Sequence, residues 1–62
     1  MVLRELIEVI DSDTLINVQE NYNEVFDGTP LDAIEELRVN QLTKPLKAVW
    51  YSKVYNRLMI EI

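Results

Sequence analysis

The last seventeen residues, LKAVWYSKVYNRLMIEI (46–62), constrain this chain more than any other stretch. Two short runs rich in β-branched, aromatic and large apolar residues, 46–51 and 57–62, flank SKVYN, so a strand–loop–strand hairpin is the expected reading. Alternation puts Leu46, Ala48 and Trp50 on one side, where Leu58, Ile60 and Ile62 join them in an uncharged core face. The other side carries Lys47, Val49, Tyr51 and Lys53 beside Arg57, Met59 and Glu61. There Val49, Tyr51 and Met59 make an apolar island rimmed by Lys47, Lys53 and Arg57. A slip of one residue exchanges the faces and turns Trp50 outward. A chain of 62 residues has little left to cover a second face, since at this size only about 60% of the unfolded surface is buried.

The remaining segments supply the cover. Leu3, Leu6, Ile7 and Ile10 are spaced as one helical stripe and predict a short helix over about 2–10. TLINVQ (14–19) alternates, with Ile16 and Val18 inward and Asn17 and Gln19 outward, and suits a half-buried strand. ENYN is a turn signal, and EVFD (24–27) reads as the returning strand of a hairpin with a loop of several residues. In DGTPLD, Thr29 is placed to cap a helix, Pro30 takes its first position, and Asp32 suits the first turn. That helix buries Leu31, Ile34 and Leu37 with Ala33 and ends near Asn40, leaving QLTKP as a connector. The expected fold is α+β: a single two-layer domain over 1–62, two short helices on a mainly antiparallel four-stranded sheet, in the order α-β-β-α-β-β.

Composition narrows the chemistry. Without cysteine there is no disulfide and no thiolate metal site, and without histidine the commonest general base and pH switch are gone. Asp11 and Asp13 begin like a calcium loop, but Ile16 stands where glycine is required and Tyr22 where a bidentate glutamate is required. Ser12 and Ser52 have no histidine to activate them, and the single glycine, Gly28, forms no Gly-rich phosphate loop. Glu24, Asp27, Glu35 and Glu36 read as solvated carboxylates. The expectation is a protein that is not an enzyme, with no metal and no cofactor. No apolar run approaches the length of a membrane span, and MVLRELIEVIDSD is too charged for a signal peptide, so the chain reads as cytoplasmic.

The net charge of −5 is unevenly spread. Residues 1–36 hold ten acids and one base; residues 37–62 hold five bases and one acid. Mutual attraction of the halves on folding, or between neighbours in a dimer, is the simplest meaning. Trp50, Tyr51 and Tyr55 interleaved with Lys47, Lys53 and Arg57 have the composition of a base-stacking platform. The acidic total, and the use of Trp50 as core filler, argue against nucleic acid as the partner. An acidic surface also suits an inhibitor that occupies the basic groove of a host nucleic-acid enzyme.

MVLRELIEVIDSDTLINV, VFDGTPLDAIEEL and the closing RLMIEI resemble a group of very small proteins carried by phages and mobile elements of Gram-positive bacteria. These share an LREL-type first helix, an ID-x-DT turn, an F-x-GT helix start and a last strand with an apolar–Glu–apolar ending. The resemblance implies the fold order above and a phage-type origin, and it implies no functional residues. The resulting expectation is a non-catalytic accessory protein that binds itself, as a homodimer, or a host protein. Its contact surface is the outer side of the C-terminal hairpin: Lys47, Val49, Tyr51, Lys53, Arg57 and Met59.

Overall fold

A computed structural model describes residues 1–62. LRELIEV closes into α1 (Leu3–Val9), one residue shorter at each end than its apolar spacing predicts. Glu5 Oε1 accepts the Val2 N–H at 2.9 Å, satisfying one of the free donors at the helix start. Leu3 and Ile7 are buried, with Leu6 and Ile10 packed at their sides. The second helix, α2 (Pro30–Glu36), begins as its sequence demands: the Thr29 hydroxyl accepts the Asp32 N–H at 3.3 Å and proline fills the first position.

Two expectations about this helix are corrected. It stops at Glu36, because Leu37 and Arg38 turn extended, and a third short helix, α3 (Val39–Leu42), follows where a plain connector was expected. Gln41 Oε1 accepts the Arg38 N–H at 3.0 Å and starts that turn. Leu31 is also exposed rather than buried. The inward stripe runs through Pro30, Ala33 and Leu37, three and four residues apart, and Leu31 lies off it.

Four strands make one mixed sheet: β1 (Ile16–Glu20), β2 (Asn23–Gly28), β3 (Ala48–Ser52) and β4 (Arg57–Glu61), in the order β2-β1-β4-β3. The two hairpin pairs are antiparallel, and the central pair, β1 with β4, is parallel. The α+β class and the largely antiparallel sheet therefore hold, with three helices in place of two. The first hairpin is tighter than predicted. Only Asn21 and Tyr22 separate its strands, both at positive φ (52° and 65°), the geometry that twists a two-residue turn to match the sheet.

The helices pack on one side of the sheet over Ile16, Val18, Phe26, Ile60 and Ile62, which with Leu3, Ile7, Ala33, Leu37 and Leu42 form the core. Gly28 (φ 153°) lies under the Phe26 ring: a Cβ there would meet its tip at 3.1 Å. Along β1, Ile16 and Val18 point in and Asn17 and Gln19 out, as the alternation predicted.

The C-terminal hairpin departs from its expected faces by half. On β4 the expectation holds: Leu58, Ile60 and Ile62 face the helices, and Arg57, Met59 and Glu61 face away. On β3 it is reversed. Val49 stands opposite Ile60 and Tyr51 opposite Leu58, so both lie on the helix side; Trp50 stands opposite Met59, so it lies outside. The cause is a step at the strand's entry. The Lys47 N–H donates to the Glu61 carbonyl at 2.8 Å while Ala48 is the residue opposite Glu61, so two residues of one strand meet one of the other. Leu46 packs against the core before this step, and the alternation inverts after it. Val49, Tyr51 and Met59 consequently form no common island.

Candidate functional site

Each row of side chains across the sheet ends on β3, and each ends exposed. On the helix side, Phe26, Val18, Ile60 and Val49 stand abreast, 7%, 0%, 0% and 43% exposed. On the far side, Asp27, Asn17, Met59 and Trp50 stand abreast; Asn17 and Met59 are buried, and Trp50 is 44% exposed. Tyr51 is 54% exposed, and in the loop beyond it Val54 and Tyr55 are more exposed still. The helices shelter β2, β1 and β4; β3 is left half-exposed on both sides.

The strand's outer edge is open as well. The Leu58 and Ile62 N–H groups donate to carbonyls of Leu15 and Gln19, toward β1. The alternate residues Arg57, Met59 and Glu61 therefore face β3 and pair with Ser52, Trp50 and Ala48. The N–H and C=O groups of Val49 and Tyr51 point away from the sheet. An unpaired, apolar edge of this kind is a template for another strand.

Of the six residues expected to form the contact surface, the structure brings Lys47, Val49, Tyr51 and Lys53 to this strand and its ends. Lys47 and Lys53 are exposed, one at each end, and neither is in an ion pair. The Tyr51 hydroxyl donates to Asn56 Oδ1 across the loop mouth. Met59 and Arg57 belong elsewhere. Met59 is covered on the far face, and Arg57 Nε donates to both Asp27 carboxylate oxygens at 3.3 Å while its Nη1 donates to the Tyr55 and Asn56 carbonyls. Trp50, assigned to the core unless the register slipped by one residue, lies outside, and Val54, given no surface role by the sequence, is also exposed. A signal for Trp50 existed: Leu46 and the pair Val49 and Tyr51 are apolar at opposite parities, which a step between them reconciles.

Beside Arg57 a polar clasp crosses three strands. Asn17 Nδ2 donates to Glu24 Oε1 (2.6 Å) and Asp27 Oδ2 (2.9 Å), and Asn17 Oδ1 accepts from Gln19 Nε2 (3.2 Å). These groups, with Tyr55 and Met59, line an open concavity of about 360 Å³. No buried side-chain nitrogen or oxygen lacks a hydrogen-bond partner. The Asn17 hydrogen bond holds the Asp27 carboxyl below its ordinary pKa, against the raising effect of burial and with help from Arg57. At the end of β1, Lys44 and then Gln41 hold Glu20 below its ordinary value. Lys44–Glu20 and Arg57–Asp27 each join a base of the C-terminal half to an acid of the N-terminal half. That is the attraction the charge split implied. No group of three or more acidic side chains is placed to hold a metal ion, and no helix is long and apolar enough to cross a membrane.

Comparisons with family models, curated proteins and solved structures found no match.

Proposed function

We propose that this chain is a non-catalytic accessory protein, of the phage and mobile-element kind its motifs resemble, that works inside the cell by binding protein through its C-terminal hairpin. The observation that carries this reading is β3, apolar, half-exposed on both sides and unpaired along its edge. Small monomers seldom leave such an edge uncovered, because it invites pairing. Absence of histidine and cysteine, and the engagement of the Asp27 carboxylate by Asn17 and Arg57, support a role without catalysis. The test is a double variant, Trp50→Ser with Tyr51→Ser. It keeps the circular dichroism and cooperative unfolding of the parent and loses association with itself or with a captured protein. Retained association in the folded variant rejects the hairpin as the contact surface.

A second reading draws on a different observation. Glu5, Glu8, Asp11, Asp13, Asp32, Glu35 and Glu36 are all exposed, so the acidic surface is not consumed by internal pairing. It suits an inhibitor that competes with DNA or RNA for a host enzyme or defence protein. Reversal of Glu35 and Glu36 to lysine then abolishes that competition and leaves hairpin-mediated binding unchanged; the opposite pattern rejects this reading.

A further inference from the structure

The first residues of the chain already show how a strand sits against this edge. Val2 bridges Pro45 in antiparallel fashion: the Leu3 N–H donates to the Lys44 carbonyl and the Leu46 N–H to the Met1 carbonyl, each at 3.0 Å. The next residue, Lys47, sends its N–H the other way, to β4. Met1 and Val2 therefore lie on the side of the chain away from β4, in line with a fifth strand position. They fill that position as far as Leu46. From Ala48 to Ser52 it is open.

We infer that the occupant of this position is β3 of a second copy, antiparallel about a two-fold axis at Tyr51; the inference rests on the proposed function above and names its partner. Three observations select it. The first is direction: β3 paired with β3 is the same edge on both molecules, so association closes at a dimer with one continuous eight-stranded sheet. The second is area. At the 150–250 Å² an aromatic side chain carries, the exposed parts of Trp50, Tyr51 and Tyr55, with Val49 and Val54, amount to about 500 Å² per copy. Two such patches against each other reach about 1,000 Å², the lower bound for a specific interface, with both sides apolar, whereas a polar strand would leave this patch as the one apolar side.

The third observation sets the register. Pairing requires the outward groups of Val49 and Tyr51 to meet outward groups of the partner. An axis at Trp50 would put Lys47 opposite the partner's Lys53 and drive the partner's loop into Met1. Moving the axis to Tyr51 sets Lys53 opposite the partner's Val49 and clears Met1. Both exposed aliphatic–aromatic rows of β3 then lie in the new strand pair.

Sedimentation equilibrium is the first measurement, with a dimer forming between about 1 µM and 1 mM, the range expected of an interface of this size. Added salt strengthens the dimer, because each copy carries −5 and lysines flank the interface. Val49→Pro removes an outward N–H without touching a bond to β4, so the monomer fold survives and the dissociation constant rises about 100-fold. The chain has no cysteine. Tyr51→Cys therefore gives a clean probe: facing residues in such a pair lie about 5.5 Å apart, within disulfide reach, and mild oxidation links two copies. A chain that stays monomeric at about 1 mM, about a thousandfold above a dissociation constant of about 1 µM, overturns the inference. So does a dimer indifferent to Val49→Pro. Cross-linking of Val49→Cys copies to Tyr51→Cys copies, in place of Tyr51→Cys to itself, overturns the axis. A monomer whose binding to another protein is still lost on Val49→Pro ends this inference and leaves the proposed function standing; a monomer whose binding is unaffected ends both.

Discussion

The two edges of the sheet are built from similar material and end differently. The β2 edge offers Val25 and Phe26, and the β3 edge Val49, Trp50 and Tyr51. Phe26 is buried because α2 packs on β2 and the ring rests on Gly28. No helix packs comparably on β3, so Val49, in the same row as Phe26, stays half-exposed. The charges differ as well. Glu24 and Asp27 lie within β2 and are tied into the far-face clasp, whereas Lys47 and Lys53 stand only at the ends of β3. Both strands are unpaired along their outer side, and apolar character does not distinguish the one whose face is covered from the one whose face is exposed. Helix packing does, and a chain of this length has helices enough for three strands.

The sharpest way to break the comparison is to truncate along a single row. Ile60→Ala opens a cavity in the core and should cost about 2–5 kcal/mol, enough to unfold much of so small a domain. Val49→Ala, one strand over in the same row, should cost less than about 1 kcal/mol. Denaturant titration of both variants measures the contrast at low protein concentration, where self-association does not contribute. Equal costs would mean that β3 is covered in solution by the same molecule.

On the far face the matching contrast is Asn17 against Trp50. Asn17→Ala leaves Glu24 and Asp27 without their shared donor and should cost about 1–3 kcal/mol. Trp50→Ala should cost clearly less for the monomer, since nearly half of its ring is already in water. A larger loss at Trp50 would show that Met59 depends on the indole for cover more than the clasp holds the strands.

Acid separates the two edges in a third way. Asp27 and Glu20 both have folded-state pKa values below the ordinary carboxyl value, by Asn17 and by Lys44 respectively. Their stabilisation is fully present above about pH 4–5 and is lost as pH falls through the lowered values, because the unfolded chain then takes up protons the folded one resists. Unfolding midpoints should therefore decline below that window. In Asn17→Ala the decline should be shallower. The β3 edge contains no acid, so variants at Val49 or Trp50 should keep the parent's pH dependence.

How much of this was legible beforehand follows from what each signal depends on. The first turn of α2 was, since Thr29, Pro30 and Asp32 act within one turn and need no other part of the chain. So was β1, whose alternation matches a strand in the middle of a sheet with one dry and one polar side. The faces of β3 were not. A step at Lys47 and Ala48 inverts every later residue, and it is fixed by where Leu46 and the Met1–Val2 bridge pin the chain before the strand starts. The parallel pairing of β1 with β4 was equally hidden, because it joins segments about forty residues apart through rows that only tertiary packing aligns.

The smallest effect expected lies in the two hairpin turns and has the opposite sign to the rest. Tyr22 holds φ at 65° in a two-residue turn, a conformation that costs a bulky residue about 1 kcal/mol or more, and its ring is almost wholly in water with nothing to gain. Tyr22→Gly creates the Asn-Gly pair such turns prefer and should stabilise the fold by about 0.5–1 kcal/mol. Asn56 also sits at positive φ, 53°, but asparagine tolerates that region and its side chain accepts the Tyr51 hydroxyl. Asn56→Gly should gain nothing. The tighter hairpin thus carries strain that one substitution relieves, while the looser one uses its left-handed residue to hold Tyr51 in place. Parallel denaturation curves distinguish them, and a gain at Asn56 equal to that at Tyr22 would show that the Tyr51–Asn56 hydrogen bond contributes nothing to the shape of the exposed edge.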